Sequence, residues 1–247
     1  MAVAQKTRYR WLDILRGAAV VNMVAFHFCY DWFEVFARQP GWYFLWPSRL
    51  WQQAICCTFI LTAGFSAHLG RRALRHGLIL NLCGFAVSAV TLLALPSEAV
   101  RFGILNLLGC AVLLAWLLRP ALEKLPAAAG LCASLFLFAL TRHLPEGYLG
   151  LLGLWRLELP AGLYRWNALA FLGLPGPTFT SSDYFPLAPW FFLFLAGWFF
   201  CRLARPRLDG FLPRLACPPL EWVGRHSLGL YLIHQPVCMA VCLLLNI

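Results

Sequence analysis

Four ionisable residues stand in one apolar stretch near the N-terminus: Asp13, Arg16, His27 and Asp31. Arg16 and His27 are eleven residues apart, three helical turns, so a helix sets them on one face about 16 Å apart along its axis. Asp13 lies three residues before Arg16 and Asp31 four after His27, which extends the face into a single polar stripe. Histidine titrates near neutrality and is the side chain best suited to take a proton during group transfer. A carboxylate one turn away can fix its tautomer and stabilise the imidazolium. Arginine offers a fork for anionic oxygens, although Asp13 competes for Arg16. Ionisable groups deep in an apolar span are costly unless they pair or face water, so a functional reading is the default. The plainer alternative is two neutralised pairs, Asp13–Arg16 and His27–Asp31, one at each interface.

The last apolar stretch has a matching feature. Ser227, Tyr231 and His234 fall at i, i+4 and i+7 on one helix face, with Gln235 adjacent and Pro236 disturbing the helix at that depth. His226 points elsewhere. Thr58, Thr62 and Ser66 form a weaker stripe, whose hydroxyls more often bond their own helix or a neighbouring one. Asn106 is a lone amide in an apolar run and reads equally as helix glue or as a ligand contact.

The elements that carry these residues follow from composition. The chain has 247 residues, 61% hydrophobic and 12% charged, with mean hydropathy +0.71. Soluble domains carry roughly 25% charged residues, so a soluble globule of this sequence would leave large apolar patches in water. Runs of span length occur at Ala18–Tyr30 inside a longer helix, Leu50–Gly70, Gly77–Ser97, Phe102–Leu118, Leu125–Thr141, Tyr184–Cys201 and His226–Ile247. A span needs about 20 residues. The expectation is therefore an all-α, polytopic transmembrane bundle of about seven spans, forming a single domain over 1–247. Residues 142–185 break the pattern with short apolar pieces, Leu149–Trp155 and Trp166–Leu174, too short to cross. They read as an extracytoplasmic loop with re-entrant or interfacial segments, an additional span pair being the alternative.

Charge asymmetry gives the orientation. With the N-terminus inside, the cytoplasmic segments hold Lys6, Arg8, Arg10, Arg16, Arg71, Arg72, Arg75, Arg119, Lys124, Arg202, Arg205, Arg207, Arg214 and Arg225. The outside then holds only Arg38, Arg49, Arg101, Arg142, Arg156 and Arg165, a split of 14 to 6 that favours N-terminus in and C-terminus out. The same dispersal gives no basic stripe for nucleic acid. Asp13 and Arg16 interrupt the start of the first apolar run, so it reads as a retained span rather than a cleaved signal. The ten cysteines include no C-x-x-C pair and read as small buried hydrophobes, with no metal site expected.

Several segments resemble, in order, the bacterial branch of the heparan-alpha-glucosaminide N-acetyltransferase family. They are Asp13-Ile-Leu-Arg16-Gly with Met23-Val-Ala-Phe-His27-Phe-Cys-Tyr-Asp31, then Arg101-Phe-Gly-Ile-Leu-Asn106, then Asp183-Tyr-Phe-Pro-Leu-Ala-Pro-Trp190. The last is Leu220-Glu-Trp-Val-Gly-Arg225-His-Ser, continuing to Tyr231-Leu-Ile-His234-Gln235-Pro236. The arginine-to-histidine spacing is also similar to that of transmembrane acyltransferases acting on bacterial surface sugars. The resemblance implies transfer of an acyl group, acetyl by preference, from cytoplasmic acyl-CoA to a carbohydrate-type acceptor outside, in the cytoplasmic (inner) membrane of a bacterium. His27, Asp31 and Arg16 would be catalytic, and Asp13, Asn106, Asp183, Arg225, Tyr231, His234 and Gln235 would line the substrate. Arg225 and the basic stretch Arg202–Arg214 would recruit the nucleotide end of CoA, unless they serve only as a positive-inside anchor. The eukaryotic enzyme has an asparagine at the position matching His27, and its heparan substrate is not carried over. Direct transfer is expected, with an acyl-histidine intermediate open, as is a homodimer. Two other classes fit the polar stripes: a small transporter or proton-coupled channel, and a non-catalytic accessory membrane protein.

Overall fold

The computed structural model describes residues 9–70, 72–151, 153–211 and 215–245, with all their side chains except those at 206, 207 and 209–211. Lys6, Arg8, Arg71 and Arg214 from the charge tally lie outside the described residues, as does the side chain of Arg207. Among the described residues, seven helices are long and apolar enough to cross a membrane, at Arg10–Val35, Trp46–Leu69, Ala73–Ala94, Ile104–Leu122, Ala127–Glu146, Leu187–Arg205 and Ser227–Leu245. Each coincides with one of the seven runs read from the sequence. The chain divides into two compact units, Met1–Thr62 with Arg205–Ile247, and Ala63–Ala204.

The first unit is built on α1 (Arg10–Tyr30), which runs on into a π-helical turn at Asp31–Val35. Asp13 in the first turn complements the positive end of the helix dipole. The loop after the π turn is knitted by one carboxylate, Glu34, which accepts from the backbone N–H of Gly41 at 3.1 Å and of Tyr43 at 2.7 Å. Beyond it, α2 (Trp46–Leu69) begins. Val20, Met23, Phe26 and Ile55 form the core here, overlaid by Trp42, Tyr43 and Trp51. Trp51 finds its polar partner in Asn22 at 3.0 Å, as a largely apolar indole requires.

Two further helices complete this unit: α7 (Pro218–Arg225) and α8 (Ser227–Leu245). Eight residues cannot cross a bilayer, and α7 instead packs on the start of α1. The approach is close enough that a Cβ on Gly17 would collide with the Leu220 carbonyl, and one on Gly224 with the Asp13 carbonyl. Small residues at reciprocal positions thus let two backbones meet. Glu221 locks the joint: it takes Arg10 Nε at 3.1 Å on both oxygens and the Cys217 N–H at 3.1 Å.

The second unit holds α3 (Ala73–Ala94), α4 (Ile104–Leu122), α5 (Ala127–Thr141) and most of α6 (Leu187–Phe211). Glycines again set the spacing. Gly77 faces Leu113, Gly84 faces Asn106, Gly109 faces Asn81, and Gly130 faces the Phe199 ring. Arg202 donates to the carbonyls of Leu122 and Leu125, each at 2.9 Å, and of Glu123 at 3.2 Å, satisfying acceptors that α4 leaves open at its C-terminus.

Residues 142–185 contain no further span pair among the described residues. A hairpin of β1 (Tyr148–Leu151) and β2 (Trp155–Glu158) is followed by 3₁₀ turns at Ala161–Tyr164 and Asn167–Leu172. The register pairs Leu149 with Leu157 and Leu151 with Trp155 on one face, Tyr148 with Glu158 and Gly150 with Arg156 on the other. On the polar face the Arg156 guanidinium lies 3.9 Å from the Tyr148 ring centroid, and Tyr148 stacks on His143.

Candidate active site

Within the first unit, α1 and α8 bring four of the singled-out side chains together. The rings of His27 and His234 meet edge to face, with centroids 4.6 Å apart and planes at 66°. Asp31 is fully buried, and its Oδ1 accepts from Gln235 Nε2 at 2.8 Å. His234 is buried, and its Nδ1 meets the Tyr231 carbonyl oxygen. A carbonyl only accepts, so Nδ1 carries the proton and Nε2 the lone pair. That Nε2 is buried and has no hydrogen-bond partner among the described residues. The tautomer of His234 is therefore written by its own backbone, and the ring offers an acceptor nitrogen next to His27. Tyr231 packs on His234 at 5.3 Å between centroids and so belongs to the same wall.

Asp31 also has a partner that spacing alone did not suggest. An i, i+4 relation on a regular helix aims Asp31 at His27; the π-helical turn starts at Asp31, and its bond to α8 goes to Gln235. The spacing of one helix could not reveal this, because the deciding group lies 204 residues away.

At the other end of α1, Arg16 donates to Asp13 at 3.2 Å, and both side chains are largely buried. This pair and the His27 cluster occupy one helix about 16 Å apart along its axis. Arg225 donates through Nε to the Glu221 carbonyl at 3.1 Å and stands 3.9 Å from the Glu221 carboxylate, on α7. The Glu221 carboxyl is held below its ordinary range, chiefly by the hydrogen bond from Arg10, helped by the Cys217 N–H and the charges of Arg10 and Arg225. Sequence reading missed Glu221 and α7. The signal was there in Pro218 and Pro219 at a helix start and Glu221 in its first turn.

Asn106 and Asp183 belong to the second unit. Asn106 is buried on α4 against Gly84 of α3, and its Nδ2 has no hydrogen-bond partner among the described residues. Asp183 accepts from the Ile104 N–H at 3.2 Å, at the N-terminus of α4. Around it the strand-like run 181–185 is tied to 99–102: Ser181 Oγ takes the Arg101 N–H at 2.8 Å, and the Phe185 N–H reaches the Phe102 carbonyl at 2.9 Å. Of the basic stretch, Arg202 is engaged with the carbonyls that end α4. A shallow hollow in this unit, lined by Ala67, Val112, Trp116, Arg119 and Trp198 among others, contains none of the candidate residues.

Among the described residues, seven membrane-length helices with facing imidazoles and a buried carboxylate bonded to an amide define a polytopic membrane protein with a polar cluster inside its spans. Comparison with family models gives a match over residues 8–236 to the catalytic domain of heparan-alpha-glucosaminide N-acetyltransferase. The chain belongs to that family, and its class is membrane acetyltransferase. No curated protein and no solved structure matched it.

Proposed function

We propose that the protein transfers an acetyl group from acetyl-CoA on the cytoplasmic side to a carbohydrate-type acceptor outside, with His27 as general base. The observation that carries this reading is the His27–His234 contact, backed by Gln235 and Asp31, inside a family of acetyltransferases. An acceptor hydroxyl or amine attacks the thioester carbonyl carbon while its proton passes to His27. The carbon–sulfur bond then breaks, and the departing thiolate takes the proton to leave as free CoA. Arg16 and Asp13 lie on the same helix toward the cytoplasmic side of the proposed orientation. When its pair with Asp13 opens, Arg16 meets an anionic part of CoA. In this reading His234, Tyr231 and Gln235 face the acceptor.

The 14-to-6 charge split supports N-terminus in, C-terminus out and residues 142–185 outside, in the cytoplasmic membrane of a bacterium. Both compact units belong to one catalytic domain in this reading, because the family match spans them. Purified protein in detergent, given acetyl-CoA and glucosamine, is expected to release CoA thiol and form an acetylated sugar. Proteoliposome flux without thioester consumption would replace this reading with a transporter. Neither activity would leave an accessory protein.

A further inference from the structure

The position of Gln235 is unusual for a residue that only contacts substrate. Its Nε2 is spent on a buried carboxylate, which as an anion only accepts, so the amide is oriented with nitrogen toward Asp31 and oxygen away from it. That oxygen is itself buried and has no hydrogen-bond partner among the described residues, while His27 stands one helical turn before Asp31 on α1 with its ring against that of His234, the residue before Gln235. A neutral imidazole has one N–H and one lone pair. To serve as a base it needs an acceptor for the N–H, so that the lone pair faces the reaction. His234 shows the same device next door, with the Tyr231 carbonyl as the acceptor.

We propose that Gln235 is a positioning residue that carries the orienting effect of Asp31 to His27, its Oε1 taking the ring N–H and fixing the tautomer. This rests on the reading of His27 as the base. An amide between carboxylate and imidazole transmits orientation without setting a negative charge against the ring. The arrangement is thus a carboxylate–amide–imidazole relay across α1 and α8. The other titratable groups around it are His234 and Tyr231, and the thiols of Cys238, Cys242 and Cys29 near Asp31. Thiols are neutral near pH 7, which leaves Asp31 as the charge that sets the direction of the relay.

Two measurements on the full chain test it. In ¹⁵N-histidine spectra, His27 is assigned by its absence in His27→Gln. It is expected as one neutral tautomer in the wild type and as a mixture in Gln235→Leu. Gln235→Met, which is close in size and lacks the amide oxygen, serves if the leucine variant fails to fold. The second measurement is the pH profile of CoA thiol release from acetyl-CoA. Asp31→Asn and Gln235→Glu are each expected to lower turnover tenfold or more. Combined, they restore a donor–acceptor pair with reversed polarity and move the charge next to His27. The double variant should then recover turnover and shift its profile by about 1 pH unit toward alkaline. A purely structural role would instead restore turnover together with the wild-type profile, which overturns the proposal, as does an unaltered His27 spectrum in Gln235→Leu or Gln235→Met. If His27→Ala keeps full turnover while the tautomer result holds, the base assignment fails and the relay geometry stands.

Discussion

Polar side chains lie inside apolar helices in both units, yet they meet different neighbours. In the first unit, α1 and α8 present polar groups to each other: imidazole to imidazole and amide to carboxylate. In the second, α3 and α4 present amides to glycines. Asn81 faces Gly109 and bonds its own helix at Gly77, and Asn106 faces Gly84. The same cue in the sequence, a polar residue in an apolar run, thus has two physical outcomes. Opposite another polar side chain it makes a buried polar cluster. Opposite a glycine it fills the space that lets two helices approach, as small residues do throughout membrane bundles.

The sharpest way to break this contrast is His27→Ala. A general base contributes about 10²–10⁴ in rate, so turnover should fall by that factor with acetyl-CoA binding nearly intact. Full turnover in a stably folded variant would shift the base to His234, the other buried ring of the pair. Next in size is Gly17→Ala, where the new methyl meets the Leu220 carbonyl and the backbone must move. Overpacking of this kind costs about 1–3 kcal/mol, read as a lower midpoint of thermal unfolding. An unchanged midpoint would mean that the α1–α7 contact is looser than the geometry indicates.

Asn106→Leu tests the second unit. Exchanging a buried, incompletely bonded amide for an apolar side chain of similar volume should change stability by less than about 1 kcal/mol and leave turnover intact. A loss of turnover of tenfold or more at unchanged thermal stability would make Asn106 a ligand contact and erase the contrast. The smallest effect is the pH dependence at α7. The Glu221 carboxyl is depressed in the folded protein, so the Arg10 bond stabilises above the ordinary glutamate range, about pH 4.3, and is lost as pH falls through the lower folded value. Protection factors of the α7 amides, with the intrinsic exchange rate divided out, should fall on acidification in the wild type. In Glu221→Gln the protection should already be reduced at neutral pH and change little below it.

Much of the fold was legible because the bilayer imposes one rule on every span. About 20 apolar residues are required, and charges interrupt such runs only at a cost. The seven runs therefore reappear as seven helices, shifted by a few residues at their ends. The hairpin was less legible, since Leu149–Trp155 is apolar throughout and shows no clean alternation from which to read a strand. The helix α7 was hidden by its length, too short to register as a span and polar enough to pass for a loop. Asp183 reads alike in sequence whether it binds substrate or caps a helix. Its bond to Ile104 joins residues 79 positions apart, which no local pattern encodes.

The sequence by itself determined the class of protein, its spans, the family, and the two helices on which the histidines stand. Those follow from composition, from helical periodicity and from short motifs, all of which are properties of contiguous residues. Only the tertiary structure decided that His27 meets His234, that Gln235 stands with Asp31, and that Gly17 and Gly224 admit α7 to the base of α1. Each of these depends on which face of one helix turns toward another. That choice is made by packing between segments some two hundred residues apart, where the summed shape and hydrogen-bonding needs of both partners act together.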